Sequence, residues 1–286
     1  MEPFPDVGGP LVGIAHSRST TQFLERHPES VDYVEIPYEL LRHAPAALEG
    51  VGSKPVVLHC ASLSMAGSVP ASPALVEDVE AWVQRTRTPW LGEHLSFITA
   101  EREVDGGFAD AYAPGEPWNI GYTVSPPLNE RSIELVLDSL ARARDVLSVP
   151  ILLENPPIYF AMPGSTMSQA EFISEIAAQS DVLLLLDLAH FCITAHTMDY
   201  DPLVEVTRLP LHRVTEVHIS GIDSGDEGHW DNHASRAPQV EFDLLATVLE
   251  HAPVRGITLE YNWSSRFPAT VLLDEIQRAR NVLERV

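Results

Sequence analysis

Short apolar runs alternate with longer amphipathic segments along the chain, and this alternation limits the possible folds more than any other feature. Runs that are apolar on both faces and separated by helices are typical of a parallel sheet, because helices cover both of its faces. Eight such runs are present: LVGIA (11–15), VDYVEI (31–36), PVVLHC (55–60), WLGEHLSF (90–97), VPILLENP (149–156), VLLLLDLA (182–189), VTEVHIS (214–220) and GITLEYNW (256–263). They predict an α/β fold, a closed (β/α)8 TIM barrel forming one domain over residues 1–286. An open doubly wound sheet is the alternative, but no glycine-rich phosphate fingerprint follows the first run.

The segments between the strands carry recognisable helix signals. Asn129 and Ser168 are predicted N-caps, and Pro73 and Pro268 suit the first turn of a helix. The predicted helices include residues 73–87, 129–147, 168–179 and 268–286.

Two connections, 98–127 and 221–239, are longer than ordinary loops, and loops of that length in a compact domain are usually functional. The first contains four aromatic residues, which predict either a lid or peptide platform, or simple packing onto the barrel. They are Phe108, Tyr112, Trp118 and Tyr122.

The charge of the chain disfavours several classes of partner. Of its 286 residues, 41 are acidic and 18 are basic, which gives a formal net charge of −23. Such a surface repels phosphate backbones and anionic lipids, so we expect neither a nucleic acid nor a membrane partner. No export signal or membrane-spanning run is apparent. Cys60 and Cys192 do not form a disulfide framework and are expected to pack as small core side chains, which suits the cytoplasm.

Histidine and carboxylate side chains collect at the carboxyl ends of the predicted strands or just beyond them. In a TIM barrel these ends converge on the face that carries active sites. Each residue alone has an ordinary structural explanation: Asp187 could be a helix N-cap, and the Asp231-x-His233 pair could belong to a solvated loop. Together, however, unpaired acids in a low-dielectric mouth would repel one another unless cations were present. The nine residues are His59, His94, Glu154, Asp187, His190, His218, Asp231, His233 and Glu260.

This set of five imidazoles and four carboxylates indicates a metal cluster. Nitrogen and oxygen donors without thiolate suit Zn, Fe or Mn and disfavour a structural zinc site built on cysteine. Nine ligands are too many for one ion. With three or four protein ligands each and a bridging carboxylate, they would hold two or three ions, and Asp187 and His190 are predicted to bind different ions.

The order of these nine residues resembles that of the endonuclease IV and xylose isomerase-like superfamily of barrels. The local motifs are closer to another branch, the multinuclear non-heme iron-dependent oxidases that modify ribosomally made peptides. The similar segments are LHCASLSMAG (58–67), GEHLSF (92–97), ILLENPPIYF (151–160), HISG (218–221) and LEYNW (259–263). The likeness extends from the first strand to the last helix.

The resemblance implies two to three iron ions in a mixed Fe(II)/Fe(III) state, with dioxygen as co-substrate. It implies catalytic roles for Glu154, Asp187 and His218. Many members have Asn where this chain has His190, which is a departure toward the endonuclease-like ligand. The implied ligands are His59, His94 and bridging Glu154 for the first iron; Glu154, Asp187, His218 and Glu260 for the second; and His190, Asp231 and His233 for the third.

The resemblance also implies a precursor peptide as substrate, modified at Cys or else at Asn or Asp, and a small partner protein that binds the leader peptide. His16 and Glu35, near the ends of the first two strands, are candidate substrate contacts, and His196 and His229 are weaker ones. Three alternatives stay open: an endonuclease IV-like phosphodiesterase, a sugar isomerase or epimerase, and a non-catalytic metal-binding or scaffold protein.

Overall fold

The computed structural model of the chain describes residues 4–5, 8–100, 118–225, 228–262 and 268–286. In these ranges the strands are β1 (Leu11–Ala15), β2 (Tyr33–Pro37), β3 (Val56–Cys60), β4 (Leu91–His94), β5 (Phe97–Ala100), β6 (Trp118–Val124), β7 (Ile151–Glu154), β8 (Leu183–Asp187), β9 (Val214–Ser220), β10 (Ile222–Gly225), β11 (Gly228–Asp231) and β12 (Gly256–Glu260). Eight of them close into a parallel barrel in the order β1-β12-β9-β8-β7-β4-β3-β2. The predicted TIM barrel is therefore confirmed, and each of the eight predicted runs supplies one barrel strand.

The helices follow the barrel strands and pack on the outer side of the sheet. Among the described residues, none is both long enough and apolar enough to cross a membrane. They are α1 (Thr20–Arg26), α2 (Tyr38–His43), α3 (Pro73–Thr86), α4 (Glu130–Arg144), α5 (Gln169–Ser180), α6 (Leu188–Met198), α7 (Pro202–Glu205), α8 (Gln239–His251) and α9 (Ala269–Leu283), with 3-10 turns at Pro45–Val51, Val206–Arg208 and Leu211–Arg213. The main apolar core joins the outward-facing strand residues to the buried faces of these helices.

Three of the four predicted helix starts are correct. Asn129 accepts a hydrogen bond from the backbone N–H of Ser132, Ser168 forms a capping box with Glu171, and Pro73 lies in the first turn of α3. The prediction for Pro268 is wrong by one position. Its ψ of 163° is extended, so it is the N-cap residue and α9 begins one residue later.

The two long connections contain antiparallel hairpins over the carboxyl end of the barrel rather than structureless loops. Strand β5 pairs with β6, and β10 pairs with β11. The predicted aromatic lid is partly described: Tyr122 lies on β6 and is exposed, whereas Phe108 and Tyr112 lie outside the described residues.

The alternation of side chains along each strand carries the polar residues into the barrel interior. Leu152 and Leu185 belong to a small apolar cluster inside the barrel. Residues two positions apart on a strand point to the same side. Glu154 and Asp187, each two residues further along, therefore point inward as well, one layer closer to the carboxyl end. The same spacing relates His59 to the interior residue Val57. A polar layer thus lies on top of an apolar one.

Candidate metal centre

The strand-borne members of the predicted cluster form one group at the carboxyl end of the barrel. Asp187 and His218 are fully buried, and Glu154 is nearly so. His94 pairs with Glu154 in the register of β4 and β7, and Asp187 pairs with His218 in that of β8 and β9. The closed sheet therefore brings residues that are far apart in sequence into direct contact.

Glu154 lies at the centre of this group and faces two sets of imidazoles. Its Oε2 atom is 3.1 Å from the Nε2 atoms of both His59 and His94. Its Oε1 atom is 3.4 Å from His190 Nδ1 and 3.7 Å from His218 Nδ1. A carboxylate whose two oxygens face different donor sets is placed to bridge two ions.

Among the nine predicted ligands, two sets of three donors are compact enough to hold a metal ion each; a third such set, Glu35, Glu216 and His218, lies in the layer beneath them. In the set of His59, His94 and Glu154, and in the set of Glu154, Asp187 and His218, the donor atoms all lie within 4.8 Å of one another. Glu260 extends the second set, because its Oε2 atom is 3.3 Å from His218 Nδ1.

The two carboxylate oxygens of Asp187 have different surroundings. Its Oδ1 atom accepts a hydrogen bond of 2.6 Å from the backbone N–H of His190 and so caps α6. Its Oδ2 atom has no hydrogen-bond partner, although it is buried, and lies 3.9 Å from His218 Nδ1. The capping and metal-binding interpretations of Asp187 are therefore compatible.

The third predicted set is held together by Asp231. Its Oδ2 atom is 2.8 Å from His233 Nε2 and 3.3 Å from His190 Nε2. His233 adopts a left-handed backbone with a φ of 51°, and its carbonyl accepts a hydrogen bond from the N–H of Asn262. Within the described ranges this set is more open than the other two, since it is not among those whose donors all lie within 4.8 Å of each other.

Two glycines give the histidines room. A Cβ atom at Gly92 would lie 2.7 Å from His59 Nδ1, so a larger residue there would push the ring away from Glu154. A Cβ atom at Gly221 would lie 2.0 Å from the backbone oxygen of Ser235, two residues after His233. Gly221 thus lets the segment that carries His233 approach β9.

The electrostatics of the group show carboxylates and imidazoles compensating one another. Burial lowers the pKa of His59, but the charges of Glu154 and Glu35 outweigh it and raise that pKa to about 10. Burial also lowers the pKa of His233, but the charges of Glu260 and Asp231 outweigh it and raise that pKa to about 9. Without a metal, protonated imidazoles neutralise the acids. Metal ions bind such ligands by displacing protons.

The donor atoms also pass a test of fit for metal ions. Buried polar atoms normally have hydrogen-bond partners, and an exception calls for an explanation such as an ion. Four buried atoms that face the group make no well-directed hydrogen bond, although imidazole or carboxylate atoms lie 2.8–3.9 Å away: Glu154 Oε2, Asp187 Oδ2, His218 Nδ1 and His233 Nε2. Their chemistry, imidazole nitrogen and carboxylate oxygen, is that of Zn, Fe and Mn sites.

A hydrogen-bonded layer lies beneath the group. His218 Nε2 is 3.0 Å from Glu35 Oε2, and both side chains are buried. With Nε2–H donating to Glu35, the lone pair of Nδ1 points toward Asp187 and Glu260. Glu216 lies deeper. It accepts hydrogen bonds from the Trp90 indole N–H at 2.6 Å and from the hydroxyls of Thr258 at 2.8 Å and Tyr33 at 3.3 Å.

The four residues predicted as substrate contacts lie in different surroundings. Glu35 is not among the residues that line the cavity described below, and its buried carboxylate lies 3.0 Å from His218 Nε2; its role as a substrate contact stays a prediction. His16 is half-buried, and its backbone N–H donates to the Glu35 carbonyl. His196 and His229 contact each other, with ring centroids 3.8 Å apart, beside a smaller cavity.

The group opens into a cavity of about 740 Å³ at the mouth of the barrel. His59, His94 and His190 line it, whereas Asp187 and His218 do not. The lining also contains Asp231, His233, Glu154, Glu260, Pro156, Pro157 and a rim of aromatic side chains. A ligand in this cavity therefore faces His59, His94, His190 and His233 rather than Asp187 and His218.

Two polar residues of the site were missed in the sequence. Glu216 is fully buried two residues before His218, and its inward position follows from strand alternation. Asn155 clamps the start of α6: its side chain exchanges two hydrogen bonds with the backbone of Asp187, and its carbonyl lies 3.0 Å from His190 Nδ1. Its position directly after Glu154 is the sequence feature that could have identified it.

The fold and the site together define a (β/α)8 barrel with a buried group of histidines and carboxylates at its carboxyl end. Solved structures agree. An IolI protein with a bound zinc atom aligns with a TM-score of 0.57 at 13% identity, covering 95% of this chain and 96% of that one. A xylose isomerase domain-containing protein of Salmonella typhimurium aligns with a TM-score of 0.53 at 16% identity, covering 98% and 99%. At these identities the likeness concerns the fold.

The profile of the family described as RiPP precursor modification enzyme MbnB/TglH/ChrH matches residues 11–284, and the chain belongs to this family. RiPPs are ribosomally synthesised and post-translationally modified peptides. A UPF0276 protein of Anaeromyxobacter sp. is 28% identical over 231 residues, covering 80% of this chain and 75% of that protein. A UPF0276 protein of Acinetobacter baylyi is 26% identical over 247 residues, covering 84% and 79%. The resemblance stated from the motifs is confirmed, and membership implies a precursor peptide as the substrate.

Proposed function

We propose that this chain is a multinuclear non-heme iron-dependent oxidase that uses dioxygen to modify one residue of a precursor peptide, Cys in the first instance and otherwise Asn or Asp. One observation carries the proposal. Glu154 presents its two oxygens to two different groups of buried nitrogen and oxygen donors, none of them a thiolate. Family membership supports the peptide as substrate.

Each residue of the cluster has a role in the proposal. The first iron would be held by His59, His94 and Glu154; the second by Glu154, Asp187, His218 and Glu260; and the third by His190, Asp231 and His233. Iron bound there would supply the redox chemistry, with the peptide as the reductant and dioxygen as the oxidant.

The chain itself separates a closed side of the cluster from an open one. Asp187 and His218 are fully buried, so the second set is closed to water on their side, whereas its other members, Glu154 and Glu260, line the cavity. His59 and His94 line the cavity and keep 10% and 18% of their side chains exposed. The peptide side chain would therefore approach from the cavity, where donors of the first and third sets are exposed, while Glu154, Asp187 and His218 act as the proposed catalytic residues at the centre and back.

Metal content and oxygen consumption test the proposal. Protein purified without oxygen from iron-supplied cells should contain two to three iron atoms per chain by elemental analysis. His59→Ala should lower this number, and His251→Ala, on the outer helix α8, should not. Zinc as the sole activating metal would contradict the proposal.

The reaction is tested with a short peptide that is encoded beside this chain and contains Cys, Asn or Asp near its end. Dioxygen should disappear in step with a change in the mass of that peptide, and the change should stop under strict anaerobiosis. Modification that continues unchanged without oxygen would refute the oxidase assignment. The proposal includes a small partner that binds the leader, and this predicts a lower KM for the full peptide when the partner is added.

A further inference from the structure

Exposed aromatic side chains are concentrated at one place on the described surface. Nine large apolar side chains are exposed in the described ranges, and four of them, Tyr122, Tyr159, Phe160 and Trp230, line the cavity above the metal cluster. We call these four residues the aromatic rim. Exposed apolar patches of this kind mark binding sites, because leaving them in water is unfavourable.

The rim has a rigid centre. The rings of Tyr159 and Trp230 are stacked, with centroids 4.8 Å apart and planes inclined by 28°. Tyr159 follows Pro156 and Pro157, which restrict the backbone that carries it. Trp230 lies on strand β11 of the second hairpin. A stacked pair held by a proline segment and a hairpin is already ordered, so a ligand that packs on it loses little conformational entropy.

The rim is joined directly to the metal cluster. Trp230 immediately precedes Asp231, the carboxylate that links His190 and His233. Tyr159, stacked on Trp230, lines the same cavity as Asp231 and His233. The rim and the metal ligands thus share one cavity and one short segment of chain.

We propose that the aromatic rim binds a large apolar or aromatic side chain of the precursor peptide, within about three residues of the residue that is modified. The proposal rests on the proposed function, which puts the modified residue at the cluster. An extended peptide advances about 3.3 Å per residue, and alternate side chains face the same way. A peptide with one side chain at the cluster therefore presents its near neighbours to the rim.

The rim would recognise chemistry rather than a fixed sequence. Aromatic and aliphatic side chains gain from covering Trp230 and Phe160, because both rings are about half exposed or more in the free protein. A stacked or edge-on aromatic adds a further gain from ring geometry. Small or charged side chains would leave the rings in water.

Two synthetic decapeptides test the proposal. They share a central Cys and differ only in the residues two places before and after it, which are Phe in one peptide and Ala in the other. Binding to the iron-loaded protein is measured by calorimetry without oxygen, so that no turnover is needed. The wild type should bind the Phe peptide about tenfold more tightly than the Ala peptide.

Variants locate the source of this preference. Trp230→Ala and Phe160→Ala should each reduce it to about threefold or less, with iron content unchanged. The matched control is Val204→Ala, which removes an equally exposed apolar side chain from α7, outside the cavity. This control should keep the tenfold preference.

Several results would overturn the proposal. Equal binding of the two peptides by the wild type, or loss of the preference in Val204→Ala, would do so. A dimer that Trp230→Ala dissociates in sedimentation experiments would identify the rim as an interface between copies instead. The proposed function can fail separately. If oxygen is not consumed, but the wild type still prefers the Phe peptide and Trp230→Ala still loses that preference, then the binding role of the rim is supported and the oxidase assignment is wrong.

Discussion

The hydrogen bond between Glu35 and His218 predicts how much the layer beneath the cluster contributes to metal binding. The two side chains are buried and 3.0 Å apart, and Glu35 is placed to accept the Nε2 proton of His218. Glu35→Gln keeps the size of the side chain and, through its amide oxygen, can still accept that proton. The change therefore removes the charge while leaving the packing in place.

The magnitude follows from the kind of hydrogen bond that is lost. A hydrogen bond to a charged group contributes about 1.5–3 kcal/mol and a neutral one about 0.5–1.5 kcal/mol. The difference of roughly 1–1.5 kcal/mol corresponds to about a tenfold lower affinity of the site for a metal ion. This agrees with the tenfold to hundredfold cost typical of losing a partner behind a metal-binding histidine. Glu35→Ala, which leaves Nε2–H without a partner, should lie at the upper end of that range.

The assay is competition for Fe(II) between the protein and a chromophoric chelator without oxygen. Glu216→Gln is the matched control. Glu216 is equally buried, but its carboxylate is 3.9 Å from His218 Nε2. It accepts its hydrogen bonds from Trp90, Tyr33 and Thr258 instead. The control should keep the wild-type affinity within about twofold.

Two results would refute this reasoning. Wild-type Fe(II) affinity in Glu35→Gln would mean that the Glu35 charge does not act through His218. An equal loss in Glu216→Gln would mean that any neutral residue in this layer disturbs the site. A third pattern, unchanged metal affinity with weaker peptide binding, would support the predicted role of Glu35 as a substrate contact.

Three further changes test other parts of the site. His190→Asn should lower the iron content toward two per chain, because an amide oxygen is a weaker donor to ferrous iron than imidazole; three firmly bound irons would show that His190 is not a ligand. Asp187→Asn should keep the cap of α6, so the melting temperature of the metal-free protein should not change. Its Fe(II) affinity should fall, because the amide nitrogen has no lone pair to offer a metal ion. A melting temperature as low as that of Asp187→Ala would show that Asn does not replace the cap. Burial and Glu35 raise the pKa of Glu216 to about 7, so in the metal-free wild type the free energy of unfolding should fall between the usual pKa of 4.5 and pH 7. In Glu216→Gln the part of this fall that comes from Glu216, up to about 3 kcal/mol, should be absent from urea titrations at pH 5 and pH 8, while the part that comes from Asp187, whose pKa burial raises to about 7, should remain.

The barrel strands could be predicted because each is a run of branched apolar residues, and the strand-borne ligands because they end those runs. His59, Glu154 and Asp187 each stand two residues after an interior apolar residue, so alternation alone directs them inward. The two hairpins could not be predicted in this way. Strand β10 (Ile222–Gly225) has mostly polar, exposed residues, which resemble a loop in sequence and form a strand by pairing with β11.

Hydrogen-bond partners within the site can be far apart in the sequence, so their contact cannot be predicted from it. Glu35 and His218 are separated by 183 positions, and their hydrogen bond exists because closure of the barrel through β1 and β12 brings β2 and β9 around one narrow interior. From the sequence, a carboxylate at the end of β2 is equally compatible with a place at the mouth or beneath the cluster. The depth of the side chain decides between them, and depth follows from the stagger of neighbouring strands.

Asp187 shows why a structural role for a residue does not count against a chemical one. A capping residue needs one oxygen, and the second oxygen of Asp187 is free to face His218. The cap fixes the first oxygen and therefore also orients the second, while Asn155 holds the backbone on which both depend. The start of α6 thus acts as the support that aims a buried carboxylate into the cluster. Asparagine, which caps equally well, would lack the second acceptor, so Asp at this position directs toward the cluster an acceptor that the helix cap does not need.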